Sequence, residues 1–218
     1  LLNVSLASPA YNEEDCIKEN VVLWNNFLEK SPLIDRYEIV VCNDGSIDKT
    51  LEILNETKNS IENLKVIDHE RNQGAAAALK TAINGSQYEW TLLIDSDGQF
   101  PIENLERMAN IINPSTQAVI GARVEKVDTL FAKFGSWLTT FLCNIFYQTS
   151  FRDYSCVFKL VKTDLLKGLK QEAGGLNSST ELTCMLVENK FNIEEVVISH
   201  SERETGESSL SGMNGIVH

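Results

Sequence analysis

The chain has 218 residues, 43% apolar and 23% charged, with 31 acidic against 19 basic side chains and a formal charge of -12. That length suits one large domain with a real core, and the composition excludes a disordered chain. The acidic balance argues against a general nucleic-acid binder, which must neutralise phosphates with cations. Five cysteines (Cys16, Cys42, Cys143, Cys156, Cys184) are scattered without a C-x-x-C pair. They read as reduced, mostly buried thiols of a cytosolic protein, with no zinc site and no disulfide framework. His69, His200 and His218 are equally far apart and read as structural. No signal peptide is visible, and the opening at Leu1 and the end at His218 leave open a membrane anchor beyond either end.

Strand-like runs and helical patterns alternate along the first half, which predicts βαβ units, an α/β fold and a largely parallel sheet sandwiched by helices. Val4 to Ser8 reads as a strand ended by Pro9. Ile17, Val21, Trp24 and Leu28 recur at helical spacing and mark one face of a helix over Glu13–Leu28, with Asn12 as its N-cap. Glu38 to Cys42 is a second buried strand, broken by Asn43-Asp44-Gly45-Ser46, with Asp48 or Ser46 capping the helix that follows. Leu64 to Ile67 gives a third strand, and Asn72-Gln73-Gly74 turns the chain into an alanine-rich helix from Ala75 to Ile83.

Thr91 to Ile94 is a buried strand that stops at Asp95-Ser96-Asp97, with Gln99 two residues on. Two carboxylates and an amide at the carboxyl end of a strand form a hard, all-oxygen ligand set, suited to Mg²⁺ or Mn²⁺ shared with a diphosphate rather than to zinc. An acidic turn ending a strand is the plainer reading of D-x-D alone. A helix from about Ile102 to Ile112 and a fifth strand at Ala118–Ala122 follow. Right-handed crossovers put the tips after Ser8, Cys42, Ile67 and Ile94 on one edge, which would collect Glu13, Asp44, Asn72, Asp95 and Asp97.

Thr129 to Tyr147 concentrates Phe131, Phe134, Trp137, Phe141, Phe146 and Tyr147, with Lys133 as its sole charge. Polar interruptions disfavour a full membrane span. One helix or two short ones lying in a bilayer interface, and a helix in the core or a dimer interface, stay open as alternatives. Asp153 to Val161 reads as a turn into a strand, Thr163 to Leu169 as a helix, Gly174-Gly175 as a loop, Ser179 to Val187 as a helix carrying Glu181, and Glu195 to Ser199 as a last strand. Ser201 to Gly215, polar and rich in Gly and Ser, reads as a mobile lid.

Four motifs, each after a predicted strand, carry a family resemblance: Pro9-Ala10-Tyr11-Asn12-Glu13-Glu14, Asn43-Asp44-Gly45-Ser46, Asn72-Gln73-Gly74 and Asp95-Ser96-Asp97-Gly98-Gln99. In order and spacing they resemble the nucleotide-sugar domain of family 2 glycosyltransferases, the GT-A fold. Gly121-Ala122-Arg123, Asp153 to Lys159 and Arg203 to Ser208 resemble the G-x-R, D-x-x-x-G-F-[KR] and R-x-x-G-x-S segments of dolichyl-phosphate mannose synthases and bacterial polyprenyl-phosphate sugar transferases. The chain departs from those patterns at Ser96 and Gly98 of the usual D-A-D-L-Q, at Val157 where Gly is usual, and at Asn43 where Asp is usual.

The resemblance implies one GT-A domain over 1–218, with 1–125 as the nucleotide-sugar half and 126–218 as the acceptor half, carrying amphipathic interfacial helices near 127–148. It implies inverting transfer of a hexose-type sugar from a UDP- or GDP-sugar to a polyprenyl phosphate, on the cytoplasmic face of a membrane, with a homo-oligomer open. Asp97, Gln99 and Asp95 would serve the metal, and Asp95 and Asp97 the catalysis. Pro9, Tyr11, Glu13, Asp44, Asn72, Gly74, Asp95 and Ser96 would line the nucleotide-sugar. Arg123, Lys159, Arg203 and Ser208 would hold the acceptor phosphate, since guanidinium binds phosphate bidentately. The alternative is a soluble enzyme of the same family acting on a saccharide hydroxyl, which needs a general base; Glu181 is the candidate. A nucleotidyltransferase is disfavoured because Leu1 to Glu14 lacks a Gly-rich basic phosphate loop.

Overall fold

In a computed structural model, residues 1–123, 130–169 and 178–201 are described, with backbone only for 130–132. The Gly174-Gly175 loop, Arg203, Ser208, the remainder of the tail and the Phe131 side chain lie outside them. Seven strands form a single sheet: β1 (Leu2–Ala10), β2 (Ile34–Asn43), β3 (Leu64–Asp68), β4 (Trp90–Leu93), β5 (Ala118–Arg123), β6 (Lys159–Lys162) and β7 (Ile193–Ile198). Their order across the sheet is β3-β2-β1-β4-β6-β5-β7.

The helices are α1 (Ile17–Lys30), α2 (Thr50–Lys58), α3 (Ala75–Gly85), α4 (Asn104–Ala109), α5 (Leu130–Tyr147), α6 (Thr163–Gly168) and α7 (Ser178–Glu188). β1 is buried through its middle, Val4 to Ser8, as expected of a strand covered on both faces. The α1 stripe Ile17, Val21, Trp24 and Leu28 is wholly inward, each at most 1% exposed. These four side chains join the strand residues Leu6, Ile39, Val41 and Leu92 in one core.

β1 runs parallel to β2 and β4, β2 to β3, and β5 to β7. β6 alone is antiparallel to its neighbours β4 and β5. That inversion matters for chemistry. Leu93, at the exit of β4, pairs with Lys159, at the entrance of β6, and Lys159 also pairs with Ile120. The segment feeding β6 therefore crosses the same edge at which β1, β2, β3 and β4 end.

Two local expectations change. Asn12 is not the cap of α1: it sits at φ 54, the helix begins at Ile17, and the Asn12 side chain accepts from the Ile47 N–H instead. An asparagine tolerates that left-handed conformation because its short amide bonds locally. Neither candidate is the cap of α2, which is Lys49: Asp48 accepts the Thr50 N–H from one position earlier, while Ser46 bonds Asn12 and Asn43. The turn into a strand expected over Asp153–Val161 is present, with the strand starting at Lys159 after a segment in which Asp153 and Tyr154 are held by side-chain bonds and the Phe158 carbonyl accepts the Gly121 N–H.

The long aromatic segment is one helix, α5. Phe134, Trp137, Ile145 and Phe146 are 58%, 57%, 62% and 77% exposed, so this face is not core. Among the described residues no helix is long and apolar enough to cross a membrane.

Candidate active site at the carboxyl edge of the sheet

The edge is assembled by strand ends, and each motif sits on one. After β1, the Asn12, Glu13 and Glu14 amides donate to Ser46 Oγ, Thr50 Oγ1 and Asp48, which ties the first motif to the second. After β2 comes Asp44, whose side chain is only 1% exposed. Its Oδ1 accepts from the Gln73 N–H at 2.9 Å and its Oδ2 from the Gly74 N–H at 2.8 Å. His69, directly after β3, approaches Asp44 Oδ1 with Nδ1 at 2.7 Å. Gly45 is indispensable to this packing. At φ +65 it lets the Arg71–Asn72 backbone approach to 2.4 Å of where a Cβ would stand.

The D-S-D-G-Q turn after β4 is held from α1. Asn20 Nδ2 donates to the Ser96 carbonyl at 2.8 Å, and a Cβ on Gly98, at φ +76, would meet Asn20 Oδ1 at 3.2 Å. Cys16 Sγ bridges Glu13 Oε2 at 3.3 Å and the Ser96 carbonyl at 3.6 Å, so the first and fourth motifs touch. Asp97 Oδ1 accepts the Gln99 N–H. The Gln99 carbonyl in turn accepts from Ser201 N at 2.9 Å, which brings the last described residue to the D-x-D turn.

Asp95 is the electrostatic centre. Part of its side chain reaches solvent, yet enough protein surrounds it that desolvation pushes its pKa up to about 7; the Asp97 charge adds to the rise, Arg123 and Lys159 oppose it, and Glu13 contributes a little more. Two neighbouring carboxylates at a sheet edge repel one another, and a divalent cation would relieve that repulsion. Among the described residues no three His, Cys, Asp or Glu side chains form a cage of their own. The donor set therefore fits an ion completed by substrate phosphates, as Mg²⁺ and Mn²⁺ commonly are.

The basic residues are more constrained than lone surface cations. Arg123, at the end of β5, lies 2.8 Å from Asp153 Oδ2 through Nε and donates from Nη2 to Ser155 Oγ at 3.0 Å. Asp153 is fully buried and the Arg123 side chain is 12% exposed. Lys159 is 1% exposed, donates to the Cys156 carbonyl, and is pushed down to about 8 by burial. Glu181 stands partly buried in the first turn of α7, and Thr183 of that helix donates to the Tyr154 carbonyl, beside Asp153. Tyr11 and Asn72 are exposed on the edge, Pro9 is half-buried and Ser96 is buried.

Asn20 and His69 are positioning residues that the motifs alone did not single out, and the pairing of Asp153 with Arg123 is likewise visible only in the fold. Asn20 lies off the apolar stripe of its helix, a polar residue facing the D-x-D turn, and only the topology makes that visible. A shallow groove of about 290 Å³ by Leu23, Phe27, Lys30 and Glu103, toward the far end of α1, contains none of these residues.

A largely parallel sheet whose acidic strand ends meet at one edge defines an α/β protein of the nucleotide-binding kind. The chain matches the family model "Glycosyl transferase family 2" over residues 5–169, and it belongs to that family. It is 26% identical over 211 residues to the undecaprenyl-phosphate 4-deoxy-4-formamido-L-arabinose transferase of Photorhabdus laumondii and 27% identical over 214 residues to that of Edwardsiella ictaluri. Each match covers 96% of this chain and 63% of the relative, so the chain spans under two thirds of their length. Among solved structures it resembles glucosyl-3-phosphoglycerate synthase from Mycobacterium tuberculosis with phosphoglyceric acid, and the same enzyme with Mn²⁺ and UDP-glucose. Both have a TM-score of 0.72, cover 97% of this chain and 75% of theirs, and are 17% and 16% identical. That likeness shows the GT-A fold.

Proposed function

We propose that the protein transfers a sugar from a nucleotide-diphosphate sugar to a polyprenyl phosphate. The observation that carries this reading is the shared edge at which Cys16 links Glu13 to the Ser96 carbonyl of the D-x-D turn and Lys159 pairs with Leu93, two residues before Asp95, with the charges of Asp97, Arg123 and Lys159 acting on Asp95. It supports a site where the negative charge of a diphosphate and its metal is balanced between acidic and basic walls. Asp97 and Gln99 would hold Mg²⁺ or Mn²⁺, with Asp95 beside them, and the bound ion would neutralise charge building on the departing diphosphate. Glu13 and Asp44 would accept hydrogen bonds from nucleoside groups, with Pro9, Tyr11, Asn72, Gly74 and Ser96 lining the donor.

A phosphate-monoester oxygen is already anionic at neutral pH and needs alignment rather than deprotonation. It would attack the anomeric carbon from the face opposite the diphosphate, forming the new C–O bond as the bond to the diphosphate breaks, which inverts that carbon. Arg123, fixed by Asp153, would orient the acceptor phosphate, with Lys159 lending positive potential from beneath. Arg203 and Ser208, which lie outside the described residues, would add to the hold on the acceptor phosphate. The exposed aromatic face of α5 would lie in the bilayer interface, and residues 126–218 would form the acceptor half.

The test is a transfer screen of UDP- and GDP-sugars with Mn²⁺, using undecaprenyl phosphate and, separately, saccharide acceptors. Label that moves into a lipid-extractable product is expected. Transfer to saccharides alone would overturn the lipid reading, and no turnover of any donor would overturn the donor reading.

A further inference from the structure

His69 does more than fill space behind the strand ends. Its Nδ1 lies 2.7 Å from Asp44 Oδ1, and its Nε2 lies 2.9 Å from Thr81 Oγ1 and 3.5 Å from Cys42 Sγ. A carboxylate oxygen accepts, which assigns the hydrogen of this contact to Nδ1, while Thr81 Oγ1 and Cys42 Sγ face Nε2. Helix α3 thereby reaches through His69 to fix a buried carboxylate.

The consequence is arithmetic. A carboxylate offers about four acceptor positions, two per oxygen. Oδ1 of Asp44 is filled by the His69 Nδ1–H and the Gln73 N–H, and Oδ2 carries the Gly74 N–H. Among the described residues one position remains, on Oδ2. A uracil edge presents one imide N–H between two carbonyls, which needs one such acceptor. A guanine edge presents adjacent N1–H and N2–H donors, which pair with both oxygens of a carboxylate.

We infer that His69 is a specificity-determining positioning residue: by occupying Oδ1 it leaves Asp44 suited to a pyrimidine imide and closed to bidentate pairing with guanine. The inference rests on the donor reading above, in which Asp44 faces the nucleoside. With 1% of its side chain exposed, Asp44 forms the floor of the edge and is met edge-on by the base.

The test titrates UDP and GDP with Mn²⁺ into the full chain by calorimetry, with thermal melting of each variant as the measure of folding. Wild type is expected to bind UDP about tenfold or more tightly than GDP, the scale of one hydrogen bond to a charged group. His69→Ala frees a position on Oδ1 and releases the carboxylate; UDP should weaken about tenfold while the UDP:GDP ratio collapses toward one. In His69→Asn the amide N–H can replace Nδ1–H, so the ratio should stay within about threefold of wild type. A folded His69→Ala protein that keeps the wild-type ratio would overturn the inference, as would equal UDP and GDP binding by wild type, or a His69→Asn protein that behaves like His69→Ala. Binding of neither nucleotide by wild type would overturn the donor reading as well, and that outcome is distinct from the others.

Discussion

At the scale of single residues, the edge is built from charges that need partners. Asp153 is completely buried and its carboxylate is held by Arg123. Removing one member of such a pair leaves the other desolvated, at a cost of about 3 kcal/mol. Asp153→Ala is therefore expected to lower stability by about that amount in urea unfolding. Asp97→Ala should behave oppositely: its side chain is partly exposed at a turn, so melting should be unchanged, while transfer falls by about a thousandfold as the metal's charge neutralisation is lost. Gly45→Ala joins a left-handed backbone to a contact of 2.4 Å with the Arg71 backbone; it should cost more than about 2 kcal/mol in the same unfolding measurement. The acidic residues of this edge were legible in the sequence because each follows a β-rich run. Their partners were not: His69 reads as one of three scattered histidines, and nothing local joins Arg123 to Asp153 across thirty positions of chain.

At the scale of elements, periodicity carried most of the fold. The spacing of Ile17, Val21, Trp24 and Leu28 forecast the buried face of α1, and the runs ending at Cys42 and Ile94 forecast β2 and β4, the two strands that flank β1 and run parallel to it. The antiparallel insertion of β6 between β4 and β5 was not legible, because a four-residue strand has no pattern that records its direction or neighbours. That insertion buries Lys159 beside Asp95, where a basic residue in an acidic protein reads at first as an exposed cation. Helix α5 illustrates the same boundary. Its aromatic content was plain, but only the fold shows Trp137 and Phe141 stacked 5.5 Å apart on an exposed face. If that face sits in a bilayer interface, replacing Trp137 and Phe141 together by Ser should reduce sedimentation with anionic vesicles by about tenfold or more. Unchanged partitioning with unchanged melting would assign the face to another partner.

At the scale of the whole molecule, the described thiols give stability a definite alkaline limit. Burial pushes Cys42 and Cys184 up to about 12 and Cys156 up to about 11. The folded state keeps these protons after the unfolded chain has lost them, so the stability they contribute is intact below about pH 9 and drains as pH rises toward 11. Lys159, pushed down to about 8 by burial, acts in the other direction, since the unfolded chain holds its proton longer. Three thiols outweigh one ammonium, and the melting temperature should fall between pH 9 and 11, less steeply in Cys156→Ala.

Across the molecule, strands remote in sequence bring Glu13, Asp95 and Asp97 to one edge, where a divalent ion and a nucleoside diphosphate would complete their coordination. UDP affinity measured with Mn²⁺ and with chelator, in wild type and in Asp97→Ala, tests this most directly. Mn²⁺ should tighten UDP binding about tenfold or more in wild type and leave Asp97→Ala unaffected; equal affinity with and without the ion in wild type, or full Mn²⁺ enhancement in Asp97→Ala, would contradict it.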